Sequence, residues 1–184
     1  MPHLPLADWR DARSLADLGE LMARFLEGAI DEAPTFVGRP DPETDPLVAV
    51  LAQVNRAGYV TTCSQPVDPR LGLTAFVVGV CSETTARGLC EAVVGSGLTA
   101  AAVSPSVTPS AGLLAAGDRV LGLDGPGDDV SLLLDAAPNA GDALAGAWQL
   151  IVADPDPATD GRLWTWLAAA LAATAAAISE ARGL

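Results

Sequence analysis

Residues 55–66, Asn-Arg-Ala-Gly-Tyr-Val-Thr-Thr-Cys-Ser-Gln-Pro, constrain the fold more than any other stretch of the chain. They read as a helix end, a stop at Gly58, a short strand over 59–63, and a crowd of small polar side chains closed by Pro66. A helix that hands over to a strand through one glycine is a mixed α/β unit. The end of a strand that opens into a loop is also where α/β sheets bind ligands.

The flanking segments continue the alternation. Leu15, Leu18, Met22, Phe25 and Leu26 recur at helical spacing, with Ser14 placed to cap them, Asp17 three residues on, and Gly28 as the stop. Residues 31–46 hold four prolines and read as a loop. A second helix starts at 44–46, with Leu47, Val50, Leu51 and Val54 as its apolar stripe. Residues 73–81 form a strongly apolar strand, expected to be buried on both faces. Ser82 caps the next helix, and 98–103 is a further strand. This strand–helix–strand run predicts two parallel strands with a right-handed crossover. Residues 104–117 and 136–146 read as loops, 119–123 as a short strand, and 130–134 as a strand pairing back through a turn at 125–129. Residues 148–153 are a strand and 160–181 a helix. The expected fold is a single α/β domain: a mixed, partly parallel sheet of five or six strands with helices packed on it.

Composition removes many chemistries. All ten basic residues are arginine, so lysine-based Schiff chemistry and a Walker A loop are absent. His3 is the only histidine, which disfavours histidine-based triads and His/Cys zinc sites. No metal and no cofactor is expected. The net charge of −13 disfavours nucleic acid and anionic membrane as partners. Cys63, Cys81 and Cys90 are odd in number and form no CxxC pair, so a reducing cytoplasm is the expected location. No charged-then-apolar pattern opens the sequence, so no signal peptide is expected.

Several segments together carry a family resemblance. They are Trp9, residues 13–20 (Arg-Ser-Leu-Ala-Asp-Leu-Gly-Glu), 26–28 (Leu-Glu-Gly), 42–44 (Pro-Glu-Thr), 55–61 (Asn-Arg-Ala-Gly-Tyr-Val-Thr) and 64–66 (Ser-Gln-Pro). With the strand–helix after Val78 and the late tryptophan strand, most of the chain resembles an uncharacterised domain family of Streptomyces and related actinomycetes. The resemblance implies neither a substrate nor a catalytic residue. Val67 departs from the glycine that follows Ser-Gln-Pro in that pattern.

On a regular strand Tyr59, Thr61 and Cys63 share one face, and Val60, Thr62 and Ser64 the other. Thr62, Cys63, Ser64 and Gln65 offer hydroxyl, thiol and amide groups at the strand end. With Tyr59, Thr61 and Arg56 they make the expected ligand site, for a polar metabolite or a nucleotide. The plainer alternative is a polar turn in which Ser64 and Gln65 bond local backbone and Cys63 packs as a small apolar group. The candidate catalytic groups are Cys63, which has no histidine to activate it, and Glu43. Arg56 reads as an anion clamp or, preferably, as a cation at the negative end of its helix. Loop 34–46, with Arg39 and Glu43, is a candidate lid.

Asp154-x-Asp156 with Asp160 faintly echoes the haloacid-dehalogenase phosphatase loop, but Ala158 stands where that loop needs threonine. Alternating Asp-Pro reads better as a rigid turn. Residues 122–127 resemble a phosphate loop, but Val130 replaces the third glycine of the fingerprint, so a turn is expected. Residues 163–178 carry no charge and are mostly alanine, which suits a buried or oligomer-facing helix better than a membrane span. The leading expectation is a small-molecule-binding domain, with catalysis left open. The rival is an interaction or structural protein that forms a homodimer, or binds a protein partner, through this helix.

Overall fold

The computed structural model describes residues 7–36, 38–104, 113–116, 128–158 and 161–183. A short helix α1 (Ala7–Arg10) leads into α2 (Leu15–Leu26). Helix α2 begins as its sequence predicts: Ser14 Oγ accepts from the Asp17 N–H at 3.1 Å, and the Asp17 carboxylate accepts from the Arg13 N–H at 2.9 Å. The second helix starts as a tighter 3-10 turn (Pro42–Leu47) that runs into α3 (Val48–Arg56). Gly58, at φ +90°, then swings the chain into β1 (Tyr59–Gln65). There follow β2 (Phe76–Cys81), α4 (Glu83–Ala92), β3 (Thr99–Val103), β4 (Leu113–Ala116), α5 (Asp128–Ala136), α6 (Gly141–Ala145), β5 (Trp148–Ala153) and α7 (Arg162–Arg182).

Strands β1, β2, β5 and β3 pair in that order, every pair antiparallel, and β4 pairs antiparallel along the outer side of β3. The expected partly parallel sheet is therefore corrected. β2 and β3 do run in the same direction, since β5 is antiparallel to both. They are not neighbours, because β5 is hydrogen-bonded between them: Leu150 faces Gly79 on one side and Ala102 on the other. A connecting helix sets strand direction but leaves open which strand fills the space beside it.

Other expectations shift as well. Residues 130–134 lie in α5, with Val130, Leu133 and Ala137 buried at helical spacing, so no hairpin forms there. The expected loop at 136–146 holds a 3-10 turn (Pro138–Ala140) and α6, and the one at 104–117 holds β4. The expected strand at 119–123 lies outside the described residues. Strand β2 is not buried on both faces: Phe76 and Val78 are half-buried.

Helix α2 packs on α3, α3 on α7, and α7 on α4. Cross-strand partners share a face. One face thus carries Thr61, Gly79, Leu150 and Ala102, flanked by Tyr59, Cys81 and Trp148. The core gathers Trp9, Met22, Leu51, Tyr59, Leu89, Leu150 and Leu167. Helix α7 is long and apolar enough to cross a membrane by length and composition, yet Leu163, Trp164, Leu167 and Leu171 in its first half are buried in this core.

Gly79 lets β1 cross the sheet closely. A Cβ there would stand 2.4 Å from the Val60 carbonyl oxygen and 2.9 Å from Tyr59 Cε2. Gly79→Ala is expected to destabilise the protein by about 1–3 kcal/mol through overpacking, read as a lower urea midpoint. An unchanged midpoint would mean that β1 and β2 are not this close.

Candidate functional site

The first half of β1 is spent on the interior. Tyr59 is fully buried, and its hydroxyl donates to the Leu150 carbonyl at 2.8 Å, with the Val77 carbonyl at 3.2 Å. Burial pushes its phenol pKa well above the usual value. Thr61 is clasped by Asn55, itself fully buried at the end of α3. Asn55 Oδ1 accepts from the Thr61 N–H at 2.8 Å, while Asn55 Nδ2 donates to Thr61 Oγ1 and to the Leu51 carbonyl, each at 2.8 Å. Tyr59 and Thr61 therefore tie β1 to the sheet centre and to α3. They are not brought to the strand tip with Cys63, Ser64 and Gln65.

The second half of β1 is different, and a bulge makes it so. Thr61 faces Gly79, but Cys63 faces Val78, leaving Thr62 as the extra residue. Because Gly79 and Val78 point to opposite faces, Cys63 lies opposite Thr61. The regular alternation expected from the sequence is corrected here. Thr62 is buried, and its hydroxyl has no hydrogen-bond partner among the described residues. Cys63 is exposed, while Ser64 and Gln65 are half-buried. Gln65 Nε2 donates to the Pro66 carbonyl at 3.1 Å.

Two cross-strand rows extend from this tip over the same face. One is Cys63–Val78–Ile151 and the other Gln65–Phe76–Ala153. Phe76, Val78 and Ile151 are all half-buried, so an apolar floor beside the polar tip is partly open. Sequence reading missed these three residues, because the strand register that lines them up is not visible in a single strand. Just past Pro66 the chain turns back, with Asp68 and Leu73 exchanging backbone hydrogen bonds at 3.1 and 3.0 Å. Between this turn and residues 157–158 lies a cleft of about 390 Å³, lined by Val67, Pro69, Gly72, Pro157 and Ala158.

Arg56 stands apart, saturated by carboxylates. Its Nε and Nη2 donate to Glu20 at 2.8 and 3.2 Å, and its Nη1 and Nη2 donate to Glu27 at 2.6 and 2.9 Å. These bonds, Glu27 first, raise the guanidinium pKa and hold both carboxyls below the ordinary glutamate value of 4.5. Arg39 donates to Asp31 at 3.4 Å, and both side chains are highly exposed. Glu43 is exposed in the 3-10 turn.

Asp154 is a fully buried carboxylate that accepts from Arg162 Nε at 2.8 Å and also from Arg162 Nη2. It accepts from the Asp156 N–H at 3.0 Å as well, and Asp156 Oδ1 in turn accepts from the Ala158 N–H at 2.9 Å. The Asp-Pro turn thus anchors the first residue of α7 to the end of β5. Asp160 lies outside the described residues. Among the described residues, no three His, Cys, Asp or Glu side chains are grouped to share a metal. No disulfide joins the cysteines, and burial raises the thiol pKa of Cys81 and of Cys90.

A family model for a domain of unknown function, DUF6919, matches residues 6–174, and the chain belongs to that family. No curated protein matches it.

Asn55→Ala leaves the buried Thr61 amide without its acceptor and is expected to cost about 1–3 kcal/mol, measured by chemical denaturation. For Arg56 the sign follows from the lowered carboxyl pKa values of Glu20 and Glu27. Their stabilisation is complete above the ordinary glutamate value and disappears as pH falls through the lowered ones. The melting-temperature gap between wild type and Arg56→Gln is therefore expected to be widest near neutrality and to close below about pH 4.5. A gap that stays constant down to about pH 3 would rule out this linkage.

Proposed function

We propose that this domain binds a small polar molecule on the half-open sheet face at the carboxyl end of β1. The observation that carries the reading is the pair of cross-strand rows. They set the exposed Cys63 and the half-buried Gln65 beside a partly open floor of Phe76, Val78 and Ile151. An apolar floor with a few polar groups at its rim is the usual composition of a small-molecule site. Gln65 can both donate and accept, which suits the edge of an amide or a nucleobase-like ring. The adjoining cleft beyond Val67 gives the ligand room to extend.

Charge narrows the ligand class. The chain carries −13, and Arg56 is saturated by Glu20 and Glu27. A neutral molecule with one flat or apolar face is favoured over a phosphate-bearing one. Cys63 acts in this reading as a contact rather than a nucleophile.

The test is a thermal-shift screen of nucleobases, nucleosides and neutral polar metabolites. A ligand present at a hundredfold its dissociation constant stabilises by about 2.7 kcal/mol, a shift of several degrees. Gln65→Ala is expected to erase that shift while leaving the unliganded melting point nearly unchanged. The same ligand should slow modification of Cys63 by a thiol reagent. A library that leaves both readouts unmoved counts decisively against the site.

A further inference from the structure

Helix α7 outruns the body of the protein. Its 21 residues span about 31 Å at 1.5 Å each. Beyond Leu171 none of its described residues is buried. The overhanging half lies along α4, where a Cβ on Gly88 would stand 2.8 Å from Thr174 Cγ2. Beside this close approach runs a groove of about 760 Å³. Its floor is small and apolar, with Ala92, Ala173, Ala177 and Ile178.

The α4 wall of the groove carries Glu83, Arg87 and Glu91. Arg87 is already committed: its Nη2 lies 2.8 Å from Glu83 Oε1, and its Cζ sits 5.6 Å from the centroid of the Trp148 ring. Glu91 is exposed and has no counter-ion among the described residues. Residues 163–179 of α7 bring no charge of either sign. Among the described residues, the groove is therefore an apolar trough with one uncompensated carboxylate, Glu91, on its rim.

We propose that this groove takes a helix of a partner protein, one with a narrow apolar face and basic residues along its flank. The apolar face covers the alanine floor, in the manner of a helix laid in a groove. A lysine or arginine on the flank meets Glu91. The net charge of −13 draws a cationic segment toward the whole chain and speeds its encounter. A second copy of this chain fits less well, since residues 163–179 of its α7 supply no cation to Glu91 and both copies carry the same net charge.

The probe is a labelled synthetic helix with leucine on one face and lysine on the other, titrated with the full chain by fluorescence anisotropy. Wild type should bind saturably and more weakly as salt rises. Glu91→Lys should weaken binding roughly tenfold, and Ala177→Arg, which fills the trough, should abolish it. Asp142→Lys makes the same charge change on α6, outside the groove, and should stay within about twofold of wild type. Melting curves establish that each variant folds. The proposal is overturned by any of four outcomes: no saturable binding by wild type; equal weakening by Asp142→Lys and Glu91→Lys; equal binding of the peptide with glutamate for lysine; or a wild-type dimer in light scattering that Ala177→Arg dissolves, which would give the groove to a second copy.

Discussion

One carboxamide joins the helical layer to the sheet. Asn55 is fully buried, and its side chain makes three hydrogen bonds at once, two to Thr61 and one to Leu51. Its own carbonyl is where α2 approaches: a Cβ on Gly19 would lie 2.2 Å from Asn55 O. Helix α2, helix α3 and strand β1 therefore meet at a single residue. A buried amide is expensive unless satisfied, and a satisfied one is hard to shift, so this residue sets how α3 sits on β1. The Glu20–Arg56–Glu27 cluster adds an outer tie between the same two helices, but it is exposed and contributes less.

That clasp also decides which part of the polar strand reaches solvent. Tyr59 and Thr61 are drawn inward by Leu150 and Asn55, and the bulge at Thr62 then turns the strand over. Cys63 and Gln65 emerge on the face away from Asn55. The result is a division of labour along seven residues, with structure at the start and an open polar tip at the end. The site residues named from the sequence therefore divide into two groups. The polar tip gains neighbours from β2 and β5 that no local pattern announces.

Legibility in the sequence followed the range of the forces involved. The Ser14 cap, the Gly58 stop, the Ser82 cap and the strand at Trp148–Ala153 all appear where the residues place them. These are decisions within one turn or one strand, where dihedral preference and a nearby hydroxyl dominate. The run Val130-Ser-Leu-Leu-Leu134 reads as a strand in the sequence because a short apolar run fits either period. Burial of Val130, Leu133 and Ala137 together settles it as helix, and burial is a property of the packed chain. The Asp154–Arg162 pair was likewise hidden: the sequence shows two charges eight residues apart, and only the closed turn makes one of them interior.

By itself the sequence determined the mixed class, most helix starts, the direction shared by β2 and β3, and the absence of lysine chemistry, because each depends on residue type and short-range geometry. Tertiary structure alone decided that β5 enters between β2 and β3, that Thr62 forms a bulge, and that α7 overhangs α4 beside a groove. Those outcomes depend on which distant surfaces bury one another, and the free energy of burial is indifferent to separation along the chain.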